Sequence, residues 1–203
     1  MADIVYTYGN QAYLNITNAC PCRCTFCIRN NGDSVGEATT LWFKDHNPTI
    51  DEIKDEIDAF DFSKYNNSIT ICGYGEPTCV LNNLIEACKY LRDKGINVRL
   101  NTNGLSDLIN KRTTAKEICE VIDSVSISLN TPDPESYERI CHPVYKEKAF
   151  PALIDFAREV KGYVQKTLFS VVGDFLSDDE IKECRRIADE VGIPLRVREY
   201  ISN

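Results

Sequence analysis

Short runs rich in β-branched and apolar residues punctuate the chain at Ala12–Thr17, Ser68–Gly73, Ile96–Asn101, Asp123–Leu129, Thr167–Val172 and Leu195–Tyr200. Each is too short for a helix and reads as a strand. Between them the apolar positions take a helical period. Ile50, Ile53, Ile57 and Phe60 are spaced i, i+3, i+7, i+10, Leu81, Leu84, Cys88 and Leu91 repeat that spacing, and Ile181, Cys184, Ala188 and Val191 share one face. Thr49 with Glu52, Thr114 with Glu117 and Ser177 with Glu180 have capping-box spacing, and Asp133-Pro134 is an N-cap followed by Pro at the first helical position. Gly95, Gly162 and Gly192 mark helix ends.

This alternation predicts an α/β fold with parallel strands joined by right-handed helical crossovers. Six strands are too few for a complete eight-stranded barrel, so the alternatives are an open doubly wound sheet and a partial barrel. In both, ligands gather at the C-terminal ends of the strands. The chemistry of the sequence falls at those ends. Asn18-Ala19-Cys20-Pro21-Cys22-Arg23-Cys24-Thr25-Phe26-Cys27 follows the first strand, Gly73-Tyr74-Gly75-Glu76-Pro77-Thr78 the second, and Thr102-Asn103-Gly104 the third. The fourth ends in Ser128-Leu129-Asn130, and the fifth runs into Gly173-Asp174.

At 203 residues the chain is expected to form a single domain, 1–203. Its 43% hydrophobic and 27% charged residues are those of a soluble globular protein and argue against wholesale disorder. With 23 basic and 31 acidic side chains the net charge is −8, which disfavours a broad basic surface for nucleic acid. The segment from Met1 to Tyr13 has no apolar core of signal-peptide kind, and no stretch approaches the ~20 apolar residues of a membrane span. The expected location is the cytoplasm, with no membrane association. In that reducing setting, clustered members of the ten cysteines read as metal ligands or redox groups before disulfides.

Cys20, Cys24 and Cys27 have the spacing C-x3-C-x2-C. Three thiolates on one short loop suit an iron–sulfur cluster with one iron left open, because soft sulfur ligands select such clusters, zinc or copper(I). Structural zinc usually takes four ligands in two pairs, and no second pair appears downstream. Cys22 also permits other triplets, so a four-thiolate zinc knot or a redox disulfide stands as the competing reading, with Cys22 more simply a non-ligand.

The triplet, with aromatic Phe26 before its last cysteine, resembles the cluster-binding signature of the radical S-adenosylmethionine (radical SAM) enzymes, and the later motifs extend the resemblance from Ala12 to Tyr200. The resemblance implies a partial (β/α)6 TIM-like barrel, a [4Fe-4S] cluster on Cys20, Cys24 and Cys27, and S-adenosyl-L-methionine (SAM) on the open iron. The implied reaction is reductive cleavage of SAM to a 5′-deoxyadenosyl radical that abstracts hydrogen from substrate, with a flavodoxin- or ferredoxin-like one-electron donor. Phe26 matches a position packed near the adenine. Gly75 and Glu76 match the motif holding the SAM amino group, although Tyr74 stands between two glycines where the family has a glycine pair. Thr102 matches a third-strand position approaching SAM, Ser128 and Asn130 the polar fourth-strand end, and Val172 the apolar fifth-strand end lining the adenine.

With the sixth strand ending at Tyr200, a minimal core is expected, without an auxiliary-cluster domain. It is similar to activating enzymes and 7-carboxy-7-deazaguanine synthases. The Asn-Ala-Cys-Pro opening, the Gly-Tyr-Gly-Glu-Pro-Thr stretch and Leu100-Asn101-Thr102-Asn103-Gly104 resemble the TatD-linked radical SAM group, which would imply a TatD-like hydrolase partner. The alternatives are glycyl-radical activation of a protein partner and a non-catalytic iron–sulfur electron carrier or sensor.

Among the remaining cysteines, Cys88, Cys119 and Cys184 read as small buried hydrophobes. Cys72 and Cys79 flank the second-strand motif, and Cys141-His142 reads as a helix end. The connection 28–47, with Arg29, Trp42 and His46, is long enough to be functional and is expected to shield the cluster or meet substrate. Arg196 and Arg198 sit where a charged substrate or the SAM carboxylate would arrive, or on a solvated edge.

Overall fold

The computed structural model describes residues 2–201; Met1 and the last two positions of the 1–203 span lie outside the described residues. Seven strands form one sheet: β1 (Val5–Tyr8), β2 (Gln11–Leu14), β3 (Ser68–Ile71), β4 (Asn97–Thr102), β5 (Ser124–Ser128), β6 (Thr167–Val172) and β7 (Leu195–Arg198). Their order in space is their order in sequence. Only β1 is antiparallel, pairing with β2; β2 to β7 are parallel. The helices are α1 (Ile50–Ala59), α2 (Leu81–Asp93), α3 (Ser106–Asn110), α4 (Ala115–Cys119), α5 (Pro134–Cys141), α6 (Ala149–Lys161) and α7 (Asp178–Val191).

Sequential order decides between the two architectures. A doubly wound sheet needs a point where the strand order reverses, and none exists here. Right-handed crossovers taken always in one direction put every helix on the same face, which curls the sheet into an open partial barrel. The apolar rows do the rest. Ile69, Ile71, Val98, Leu100, Val125, Ile127, Phe169 and Val171 are all nearly inaccessible. They meet Ile53, Ile57, Leu84, Leu91, Leu153 and Phe156 from the helices in one core.

The capping boxes at Thr49/Glu52 and Ser177/Glu180 form, and Asp133 caps α5 by accepting from the Ser136 N–H. Gly95 and Gly192 take the left-handed conformation at helix ends. The Thr114/Glu117 box does not form. The Thr114 hydroxyl instead bonds Ser106 Oγ and Asp107 Oδ1, both at 2.7 Å, and its N–H donates to Asp107 Oδ1 at 2.9 Å. Thr114 therefore ties α3 to α4 rather than capping.

Six expected strands become seven because the N-terminal hairpin supplies β1. Tyr8-Gly9-Asn10-Gln11 turns in two residues, with Gly9 at φ 56°. A second, smaller apolar cluster of Tyr6, Val35, Leu41 and Tyr74 fastens the connection 28–47 to this hairpin. The connection also pairs with β1 directly, where Glu37 N–H donates to Thr7 O at 3.0 Å. The preceding Gly36 stands at φ 61°, with its α-carbon so close that a methyl group there would sit 2.1 Å from the same carbonyl.

Candidate active site

The cysteine loop leaves β2 and is held by the far end of α5. Arg23 N–H donates to Cys141 O and Thr25 N–H to Ile140 O, both at 2.9 Å, and Val144 N–H returns to Pro21 O at 2.9 Å. These carbonyls are among those a helix end leaves without intrahelical partners, so α5 grips the loop by its backbone. Cys141-His142 does end the helix, with His142 at φ 44°.

On this frame Cys20, Cys24 and Cys27 are half-buried, whereas Cys22 is 2% exposed and faces the core. All ten cysteines are free thiols. Cys22 hydrogen-bonds toward Cys20 and holds its thiol low, and Cys141 followed by Cys22 does the same for Cys24. The two donors, Cys22 and Cys141, are correspondingly pushed up. The Cys22 N–H also donates to Cys20 Sγ at 3.5 Å, and Cys24 Sγ lies 3.8 Å from Cys141 O. Arg29 Nε–H donates to the third expected ligand, Cys27 Sγ, at 3.4 Å, while its other nitrogens donate to Asn18 O and Cys22 O. The guanidinium lies 5.8 Å from the Trp42 ring centre, so the long connection does lean on the cysteine loop. Among the described residues, no three or more His, Cys, Asp or Glu side chains are gathered for a single metal ion.

Glu76 lies beside this loop, 3% exposed. Its N–H donates to Ala19 O at 2.8 Å, and a side chain at neighbouring Gly75 would put a carbon 2.3 Å from Thr17 O. Only glycine permits that approach. Oε1 accepts from Thr78 N–H (3.2 Å), Thr78 Oγ (2.8 Å) and Thr102 Oγ (2.7 Å), and Oε2 accepts from Asn103 N–H at 2.7 Å. Burial pushes this carboxyl up, opposed by those hydrogen bonds. Glu76 therefore knots the ends of β3 and β4 together, and Oε2 keeps a lone pair for one further donor.

Tyr74 points away from this knot. It is 1% exposed, its hydroxyl donates to Gly32 O at 2.9 Å and lies 3.1 Å from Ser34 O, and its ring meets Trp42 edge-on. The tyrosine between the two glycines is an anchor for the connection 28–47, a role sequence spacing did not suggest.

Asn130 stands just past β5 at φ 63°, 5% exposed. Its amide nitrogen approaches Cys141 Sγ at 3.6 Å, but its Oδ1 is buried with no partner. Such an atom costs free energy unless a ligand or water meets it. Ser128 is half-buried and pairs with Ser170 of β6, and Val172, 2% exposed, pairs with Arg198 of β7. Phe26 packs on Phe175 at 5.3 Å, and Phe175 on Tyr200 at 5.2 Å. Tyr200 Oη in turn donates to Asn31 Oδ1 at 2.8 Å. This chain, absent from the sequence reading, links the cysteine loop to the end of the last strand across the unclosed side of the barrel.

Cys88 and Cys184 are inaccessible and Cys119 is 9% exposed, with burial pushing Cys119 and Cys184 up to about 12. They are packing residues, as their helical positions suggested. The donor set elsewhere fits the expected group: three half-buried thiols on one loop, a glycine cradle, a carboxylate with one open lone pair, and the orphaned Asn130 oxygen.

Residues 14–188 match the family model of the radical SAM superfamily. The chain belongs to the radical SAM superfamily. It is therefore an enzyme of a superfamily whose members use SAM and an iron–sulfur cluster. A radical SAM methyltransferase from Sphaerobacter thermophilus superposes with a TM-score of 0.66 at 17% identity, covering 96% of this chain and 68% of that one. Streptococcus suis SuiB, bound to precursor peptide SuiA, gives 0.64 at 19%, covering 93% and 39%. The enzyme anSMEcpe with bound AdoMet gives 0.65 at 18%, covering 94% and 51%. At these identities the likeness is one of fold. The chain spans about two thirds of the first structure and about half or less of the other two. No curated protein matches it. No helix among the described residues is long and apolar enough to cross a membrane.

Proposed function

We propose that this radical SAM chain holds a [4Fe-4S] cluster on Cys20, Cys24 and Cys27 and reductively cleaves SAM at the C-terminal rim of its sheet. The reading is carried by the loop's arrangement of three half-buried cysteines, Cys20, Cys24 and Cys27, around a core-facing Cys22, set beside the Glu76 knot. When bound, a reduced cluster would supply one electron to SAM, whose S–C5′ bond would break to give methionine and a 5′-deoxyadenosyl radical able to take hydrogen from substrate.

The protein's part is to position and to exclude. Glu76 Oε2 receives the SAM amino group while Oε1 keeps Thr102 in place. Asn130 Oδ1 meets a donor on SAM, with Ser128 beside it. Phe26 and Val172 flank the adenine. Arg29 holds Cys27 through its Nε–H and lies 5.8 Å from the Trp42 ring centre. The electron comes from an external flavodoxin- or ferredoxin-like donor. The Asn-Ala-Cys-Pro and Gly-Tyr-Gly-Glu-Pro-Thr stretches support placement near the TatD-linked group, with a TatD-like hydrolase as the partner to try first.

The test is anaerobic. After reconstitution with iron and sulfide, reduction and addition of SAM, 5′-deoxyadenosine should appear. It should vanish in Cys20→Ala, Cys24→Ala and Cys27→Ala and persist in Cys22→Ala. Dependence on Cys22, or no cleavage under strong reductant, sinks the assignment.

A further inference from the structure

The helices cover the outer face of the sheet; its inner face is composed differently. A complete barrel fills its interior with bulky branched side chains. Here, apart from Tyr13, Leu168 and Val172, the residues alternating with the buried outer rows are polar, and several are small. Every inward position of β5 is serine (Ser124, Ser126, Ser128), and Ser170 continues the row on β6. Ser126 and Ser170 are only 4% exposed, so longer side chains from other strands cover them.

Three arginines share this face of the sheet. Arg99 of β4 lies level with Thr70 and Ser124 and alternates with buried Val98 and Leu100. Arg196 and Arg198 of β7 lie level with Ser170 and Val172. Tyr13 of β2 is level with Thr70, itself level with Arg99, and the charges of both Arg99 and Arg196 act on its hydroxyl. No ion pair among the described residues involves any of the three. The hydrogen bond of Arg99 is to neutral Asn101 Oδ1, at 3.1 Å. Burial, then the Arg196 charge, pushes Arg99 below the usual arginine range, and no carboxylate offsets either effect. A chain of net charge −8 has acidic side chains to spare, yet places none against these arginines. Arg99 and Arg198 are half-buried and Arg196 is exposed; a half-buried guanidinium with other arginines for neighbours and no acid is costly, and arginine is the residue that binds carboxylate and phosphate through paired N–H groups.

We propose that Arg99 and Arg196 form a subsite for the oxyanion of a small-molecule substrate, a phosphate or carboxylate group held on the inner face of the sheet below the rim. Calling the ligand a substrate rests on the radical chemistry proposed above; the oxyanion site itself rests on the arginines. Arg99 sits deeper along β4 than Thr102 and Asn103, which belong to the Glu76 knot. An anion held at Arg99 and Arg196 directs the rest of the molecule up toward the rim, where SAM is cleaved. Arg198, level with Val172 and close enough to feel Cys24, stands between the two levels. A nucleic-acid backbone does not fit, because its phosphates need a broad exposed basic surface.

The experiment uses the anaerobically reconstituted protein with saturating SAM, so that any contact to the SAM carboxylate is already made. Inorganic phosphate and malonate are titrated separately by calorimetry at constant ionic strength. Saturable binding of at least one is expected, weakened about tenfold or more in Arg99→Gln and in Arg196→Gln, partly restored in Arg196→Lys, and unchanged in Arg185→Gln on the exposed face of α7. Stronger binding of phosphate marks a phosphate-bearing substrate and of malonate a carboxylic acid; either upholds the subsite. Absence of saturable binding, or an equal loss in Arg185→Gln, overturns it. So does a loss of SAM affinity as large as the loss of oxyanion affinity, which assigns the arginines to the cofactor. Oxyanion binding through Arg99 and Arg196 without any 5′-deoxyadenosine overturns the radical reading while upholding the oxyanion site. Formation of 5′-deoxyadenosine without oxyanion binding does the reverse.

Discussion

At the β1 edge of the sheet the chain folds back over itself: the connection 28–47 pairs with β1, buries Val35 and Leu41 against Tyr6 and Tyr74, and sends the Leu41 carbonyl to Asn15 and Asn18, both at 2.9 Å. At the β7 edge, Val197 and Phe175 are 38% and 41% exposed, and the aromatic chain at the rim is the main tie across the gap. The same sheet thus has a sealed side and an accessible one. An unpaired strand edge is a liability that proteins usually cover. The sealed side reaches the start of the cysteine loop through Asn18, whose amide donates to the Leu41 carbonyl and whose Oδ1 accepts from the Phe43 N–H.

The largest expected effect comes from breaking the sealed side. Tyr74→Ala removes a fully buried ring and should cost about 3–5 kcal/mol, whereas Val197→Ala at the other edge should stay within about 0.5 kcal/mol. Denaturant midpoints measure both, and limited proteolysis of Tyr74→Ala should first cut within 28–47. Similar costs at the two edges would erase the distinction. Next comes Gly36→Ala, where positive φ and the Thr7 carbonyl both exclude a side chain. A loss of more than about 1 kcal/mol is expected in a melt, and a neutral result would mean that the strap does not pair with β1. The smallest effect belongs to α7, which leads into β7. The Ser177 N–H and then its hydroxyl hold Glu180 below the usual carboxylate range. A depressed folded value gives stability that is present above the unfolded value of about 4.3 and lost as pH falls through the folded one. Glu180→Ala should therefore lower the midpoint at pH 7 and lower it less at pH 3. An undiminished difference at pH 3 would remove the ionic part of this cap.

What the sequence made legible followed local rules. The six parallel strands, the helix starts at Thr49, Asp133 and Ser177 and the loop carrying the three cysteines are written in periods and spacings that span a few residues. The misses were of two kinds. The β1 hairpin had a readable signal, Gly9-Asn10 between two short alternating runs, but each strand is only four residues long. The other misses were tertiary: Tyr74 turning into the second cluster, Thr114 preferring Asp107 to its own helix, and Phe26 joining Phe175 and Tyr200. Tyr74 and Phe26 depend on partners dozens of residues away, and Thr114 on a residue in the preceding helix, which no helix or strand period encodes. The interior arginines lie between. Their alternation along β4 and β7 was visible, but the lack of an acid beside them appears only when the strands are set side by side.

The strictly sequential strand order has a consequence for how the molecule is assembled during synthesis. Every strand pairs with the one made just before it, so the sheet can grow by addition at a single edge as the chain emerges from the ribosome. The thiol loop, the buried glutamate and Arg99 are all in place before β7 exists. Arg196 and Arg198 arrive with β7, so the three inner-face arginines come together only when the last strand of this sheet is added.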